Sequence, residues 1–135
     1  MGEKTSRGNV GKAIIGAFVV TLLIKIFFLD FMIAEGHSMT PVIKPGTILL
    51  VCKSFYGIKL PGSSGYLLRW KTPSEGDILV FYTPLGEIAV KRCVENFGDG
   101  YFYALGDNKA QSYDSRNYGS IPVNSVIGRV MGIKQ

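Results

Sequence analysis

From Ala13 to Ile24 the chain reads AIIGAFVVTLLI, an uncharged apolar run close to its N-terminus. No other feature restricts the possible folds as strongly. A helix that is apolar all round has no face for water, so it belongs in lipid or in a protein interior. Twelve helical residues cover only about 18 Å, against a hydrocarbon core of about 30 Å. Continued through Lys25 to Leu29, the helix reaches about 25 Å, and local thinning or snorkelling of Lys25 makes up the difference. A cleaved signal peptide would also start with basic residues and an apolar run. Here no A-x-A site follows, and the apolar character continues past Asp30. A buried amphipathic helix needs a polar stripe, which residues 13–24 lack. The expected organisation is a basic tail over residues 1–12, a retained membrane anchor over 13–29 and a folded domain over 30–135. Lys4, Arg7 and Lys12 stand against Glu3 in the tail, which places it in the cytoplasm by the positive-inside rule. The domain then lies on the outer face. Ser38 follows the membrane exit by a few residues, which suits a membrane-embedded substrate.

The 135 residues make one domain with a real core. The mean hydropathy of +0.22 is high for a soluble domain, and the N-terminal run accounts for it. The net charge is +5, but outside the tail the basic residues are dispersed. No Lys/Arg run interleaved with aromatics occurs, so nucleic-acid binding is not expected. Cys52 and Cys93 form no C-x-x-C pair, and the lone His37 cannot complete a zinc set. Neither metal nor cofactor is expected, and two buried free thiols are favoured over a disulfide.

After residue 34 the texture changes. TILLV (47–51), DILVFY (77–82), EIAVKRCV (87–94), YFYAL (101–105) and VIGRVMGI (126–133) are rich in β-branched and aromatic residues. Turn signals such as KPG, SEG, TPLG and FGDG separate them. This predicts a mainly β domain: a small, closed or nearly closed barrel of short antiparallel strands behind one N-terminal transmembrane helix. Residues 54–76 read as a long surface loop holding Trp70, either a core plug or an interface anchor.

The stretch EGHSMTPVI sets His37 beside Ser38. A serine hydroxyl needs a base to become a nucleophile. Adjacent residues in an extended segment point to opposite sides, so His37 is poorly placed to serve. A lysine neutralised by burial is the other candidate. In EIAVKRCV a two-residue period puts Glu87, Ala89, Lys91 and Cys93 on one face. Lys91 could therefore sit in a dry pocket, although strand lysines are usually solvated. The polar stretch GDNKAQSYDSRNYG (106–119) reads as a hairpin loop closed by Asx-turns. Its sharper reading is a buttress in which Asp114 and Arg116 pair and Ser115 is free to orient a base.

Taken in order, these segments resemble the type I signal peptidases, the membrane-bound Ser/Lys peptidases. KIFFLDFMIAEGHSM resembles the family's approach to the nucleophile, and EGHSMTP the box around it. EGDILVFYTP resembles the Gly-Asp strand box, IAVKRCV the lysine box, and GDNKAQSYDSRNYGSIP the last box. The resemblance covers Lys25 to Val130 and implies a bacterial plasma-membrane serine endopeptidase that removes signal peptides from exported preproteins. It implies Ser38 as nucleophile, Lys91 as general base and Ser115 as the residue orienting Lys91. Asp114 and Arg116 would hold that loop, and Gly106, Asp107 and Asn108 would shape the turn before it. Met39 would support the wall of the substrate pocket, and the Ser38 N–H would be one oxyanion donor. The implied partners are preprotein signal-peptide segments and membrane lipid, with the chain a monomer and no cofactor.

Four positions depart from the family pattern. Gly36 stands where many members carry Ser or Thr as a second oxyanion donor. Val42 replaces a common Thr, Lys109 a common Arg, and only Glu95–Leu105 joins the lysine strand to GDN. The chain is thus a minimal version without the large extra β-domain. Two other readings stay open: a dedicated peptidase of a conjugation or secretion system, and a non-catalytic pilin-assembly chaperone of the same fold. A soluble Ser–Lys self-cleaving repressor shares the chemistry, but the anchor speaks against it.

Overall fold

The computed structural model describes residues 4–135, with side chains from Arg7 onward. Helix α1 (Lys4–Phe27) carries the apolar run. Its stretch from Arg7 to Phe27 is long and apolar enough to cross a membrane and is not buried against the rest of the chain. Its exposed face includes Ile14, Phe18 and Leu22.

The chain passes with a single intervening residue into β1 (Leu29–Ile33). β2 (Ile48–Cys52), β5 (Ile78–Tyr82), β6 (Ile88–Asn96), β7 (Tyr101–Leu105) and β9 (Val126–Lys134) match the five runs read from the sequence. With β1 and the short β8 (Ile121–Pro122) they form one antiparallel sheet in the order β1-β2-β9-β5-β6-β7-β8. The sheet curls into a half-barrel. The apolar character that continues past Asp30 belongs to β1, which pairs along its length with β2, from Leu29 with Cys52 to Ile33 with Ile48.

Two features refine the sequence reading. The loop over 54–76 holds a small hairpin of β3 (Gly57–Ile58) and β4 (Leu68–Arg69). Trp70 follows it, 51% exposed, so it plugs no core; its Nε1 donates to the Phe55 carbonyl at 3.1 Å. The polar stretch 106–119 contains one turn of helix, α2 (Ser115–Tyr118), with Asp114 as its N-cap. The Asp114 carboxylate accepts from the Arg116 N–H, and the Asn117 side chain accepts from the Asp114 N–H, closing a capping box.

β5 is covered on both faces. Leu79 and Phe81 join one core with Phe102, Ala104, Tyr56 and Cys93. Val80 joins a second with Ala34, Met39, Ile43, Leu49 and Val51. This is the two-residue alternation of a central strand. Each large side chain so buried stabilises the fold by about 1.5–3 kcal/mol. Phe81 meets Phe102 edge to face, with ring centroids 5.6 Å apart. Both cysteines are free thiols, Cys93 buried and Cys52 half-buried.

Asp77 fastens the long loop to this frame. Its carboxylate accepts from the Tyr56 hydroxyl at 2.6 Å and the Ser74 N–H at 3.0 Å, and pairs with Arg129 at 3.0 Å. Burial, and then the Asp77 carboxylate, push the Tyr56 hydroxyl far above its ordinary pKa, so it stays a donor.

Candidate active site

Ser38 lies in a turn between β1 and β2. The turn is pinned by its neighbours: Met39 is 3% exposed in the second core, and the Ile43 N–H donates to the Met39 carbonyl at 2.9 Å. The other partner arrives from β6. Lys91 is 6% exposed and stands cross-strand from Leu79, on the face that carries Cys93. Its Nζ lies 2.9 Å from Ser38 Oγ. The two residues singled out from distant parts of the sequence thus meet at hydrogen-bond distance.

Burial lowers the Lys91 pKa from its ordinary value, and the Asp114 carboxylate pulls weakly the other way. That carboxylate is itself neutralised. It accepts from Arg116 Nε at 3.0 Å and Nη2 at 2.9 Å, from Ser112 Oγ at 2.7 Å and from the Gly106 N–H at 3.0 Å. Burial alone would raise the Asp114 carboxyl, but these donors outweigh it and hold it far below the usual carboxylate range. The Asp114–Arg116 pair expected in the buttress is therefore present. Ser115 is buried beside it, and its Oγ accepts from the Ala104 N–H at 3.0 Å. Among the described residues no hydrogen bond joins Ser115 to Lys91. Its hydroxyl proton stays available for another acceptor.

The Gly-Asp-Asn turn holds the Ser38 backbone. The Asn108 N–H donates to the Ser38 carbonyl at 2.9 Å, and Asn108 Nδ2 donates to the His37 carbonyl and to Thr40 Oγ1. Asp107 pairs in bidentate fashion with Arg92, both contacts at 2.8 Å. That contact escaped the sequence reading, although the arginine directly after Lys91 was a usable signal. At Gly106 an added Cβ would meet Ser112 Oγ and lie 2.6 Å from the Ser38 carbonyl oxygen. Gly106→Ala should therefore displace the serine while the sheet stays folded. The expected result is a fall in kcat/KM of roughly a hundredfold, with a melting temperature lowered by several degrees because the clash is partly with backbone. Unchanged kinetics would show that the turn absorbs the methyl group.

His37 is exposed, and its imidazole makes no hydrogen bond among the described residues. Gly36 adopts φ +73°, a backbone that a serine or threonine there would strain to adopt.

A cleft of about 710 Å³ leads to the Ser38–Lys91 pair. One wall is Phe31–Ala34, the end of β1, and the facing wall is Glu87–Val90 at the start of β6. Both walls present backbone edges. β1 ends the sheet, and β6 is paired with β7 only from Arg92 onward. Met39 and Ile43 line the floor near the serine.

A profile of the family described as "Signal peptidase, peptidase S26" matches residues 7–100 and 94–133, so the chain belongs to that family. Among its relatives is signal peptidase I of Buchnera aphidicola from Baizongia pistaciae. It is 36% identical over 89 residues, which are 64% of this chain and 29% of that protein. Signal peptidase I of Bacillus caldolyticus is 24% identical across 95% of this chain and 91% of its own length. A mitochondrial ATP-independent inner membrane protease subunit 1b of Arabidopsis thaliana is 28% identical across 77% and 69%. The chain spans about three tenths of the length of the Buchnera relatives it matches.

Proposed function

We propose that this chain is a membrane-anchored serine endopeptidase that removes signal peptides from exported preproteins, with Ser38 as nucleophile and Lys91 as general base. The observation that carries the reading is the 2.9 Å approach of a buried lysine amine to a serine hydroxyl at the end of a strand-walled cleft. Helix α1 anchors the domain, with the basic tail in the cytoplasm and the β-domain on the outer face of the plasma membrane.

An extended substrate segment enters between the free edges of β1 and β6 and pairs with them as an added strand. Small residues flanking the cleavage site fit the shallow floor beside Met39. Neutral Lys91 accepts the Ser38 proton as Oγ attacks the scissile carbonyl. The Ser38 N–H stabilises the oxyanion. Lys91 returns the proton to the leaving amine, which departs and leaves an acyl-enzyme on Ser38. Lys91 then takes a proton from water, which attacks the ester, and returns it to the departing Ser38 Oγ, freeing the new C-terminus and restoring the neutral amine. Asp114, Arg116 and Ser115 keep the neighbouring loop in place, and Asn108 fixes the Ser38 backbone.

The test is incubation of the purified chain in detergent with a panel of preproteins, followed by mass measurement of the products. Cleavage after an A-x-A site by wild type, and none by Ser38→Ala, is the expected pattern. Intact preproteins throughout would sink the proposal. The pH dependence gives a second check. Burial favours the neutral amine, so Lys91 loses its proton below its ordinary pKa. Cleavage should therefore rise with pH through this lowered pKa, below the range of an ordinary lysine, and level off at alkaline pH. A kcat/KM profile that falls between neutral and alkaline pH would contradict a lysine base.

A further inference from the structure

A second cleft, also of about 710 Å³, opens where α1 meets the β-domain. One side is apolar: Ile26 and Phe27 from the last turn of α1, Tyr82 from β5 and Ile127 from β9. Lys53 and Lys59 line it as well, with Ser64 nearby. Lys59 Nζ donates to the Asn124 carbonyl and, at 2.6 Å, to the Val126 carbonyl. Lys53 Nζ donates to the Lys25 carbonyl at 3.4 Å. An ammonium has three donors. One on Lys59 and two on Lys53 are therefore left for an acceptor from outside. The carbonyl end of α1 carries about half a negative charge, which two ammonium groups outweigh.

We propose that this cleft binds one anionic phospholipid, with its phosphate against Lys53 and Lys59 and an acyl chain along Ile26 and Phe27. The inference rests on reading α1 as a membrane span. The occupant is a lipid rather than a soluble phosphate because the apolar wall is the helix end itself. Leu60, half exposed, adds to that apolar lining, and the half-exposed Phe28 extends it beyond the cleft. A bound lipid would brace the β-domain against α1 at the membrane surface.

The test uses the full chain in nonionic detergent, titrated with dioleoyl phosphatidylglycerol or dioleoyl phosphatidylcholine. Bound lipid is counted by native mass spectrometry. The expected result is one phosphatidylglycerol held about tenfold more tightly than phosphatidylcholine. Lys53→Gln should remove most of that preference, and Ser64→Glu should do so by setting a carboxylate beside the phosphate. Both substitutions leave the Lys59 tie to the Val126 carbonyl intact. Equal affinity for the two lipids, or an unchanged preference in both variants, would overturn the inference. So would displacement of phosphatidylglycerol by millimolar glycerol phosphate, which would mean that the cleft reads a soluble anion. Carbonate washing of phosphatidylcholine vesicles separates the two readings. A chain that washes off defeats the membrane span and the lipid site together. A chain that stays embedded without a headgroup preference defeats only the lipid site.

Discussion

Lys91→Ala should lower kcat for preprotein cleavage by at least about a thousandfold, close to the loss in Ser38→Ala. The reason is geometric as well as acid–base. Lys91 Nζ is the one side-chain nitrogen within hydrogen-bond reach of Ser38 Oγ among the described residues. Removing it leaves a hydroxyl with no group to take its proton, and a buried space that only water could fill. The double variant should be no worse than either single one, because the two groups act as a unit. Lys91→Arg should fail as well, since a guanidinium does not give up its proton. His37→Ala should retain most activity. Cleavage by Lys91→Ala together with loss of cleavage in His37→Ala would reverse the assignment. The measurement is single-turnover cleavage of one preprotein at a fixed alkaline pH.

Asp114→Ala should cost the domain about 2 kcal/mol of stability, the loss expected when buried donors are left without their acceptor. Its side chain is fully buried and collects donors from Gly106, Ser112 and Arg116 at once. Without it, Gly106 and Ser112 lose their partner beneath the Ser38 backbone. Asp114→Asn keeps the shape and part of the hydrogen bonding, so its loss should be smaller. Urea midpoints measure the difference, and a midpoint equal to wild type in Asp114→Ala would refute the buttress role. The pH dependence has a definite sign. The folded-state pKa lies below the unfolded one, so the carboxylate stabilises the fold above the unfolded value. That contribution is lost as pH falls below about 4 toward the depressed folded value.

The sequence made the strands legible where alternation and turn residues coincide, as in β5 and β6. It also placed Lys91 on the face of Ala89 and Cys93, which is the buried one at Lys91 and Cys93. Pairing Lys91 with Ser38 was a different matter. The two are separated by 53 positions, and no local period links them, so the order of the family boxes supplied that step. β1 was hard to delimit because its apolar residues continue the helix without a turn signal. The β3–β4 hairpin rests on two residue pairs, too few for a pattern. The Asp107–Arg92 pair and the role of Asp77 depend on folding distant segments together, which composition cannot express.

If the chain is the membrane-anchored peptidase proposed above, the junction between α1 and β1 has a consequence for which bonds it cuts. Helix ends at Phe27, strand begins at Leu29, and the strand leads directly toward the Ser38 turn. In the membrane-anchored reading there is no slack in this connection, so the protein behaves as a ruler standing on the bilayer. Ser38 is held at a fixed height, and a scissile bond is selected by its distance from the membrane as well as by its neighbours. Three glycines inserted after Phe28 should loosen that selection. Cleavage sites moved a few residues from their natural place would then be cut nearly as well as the natural one.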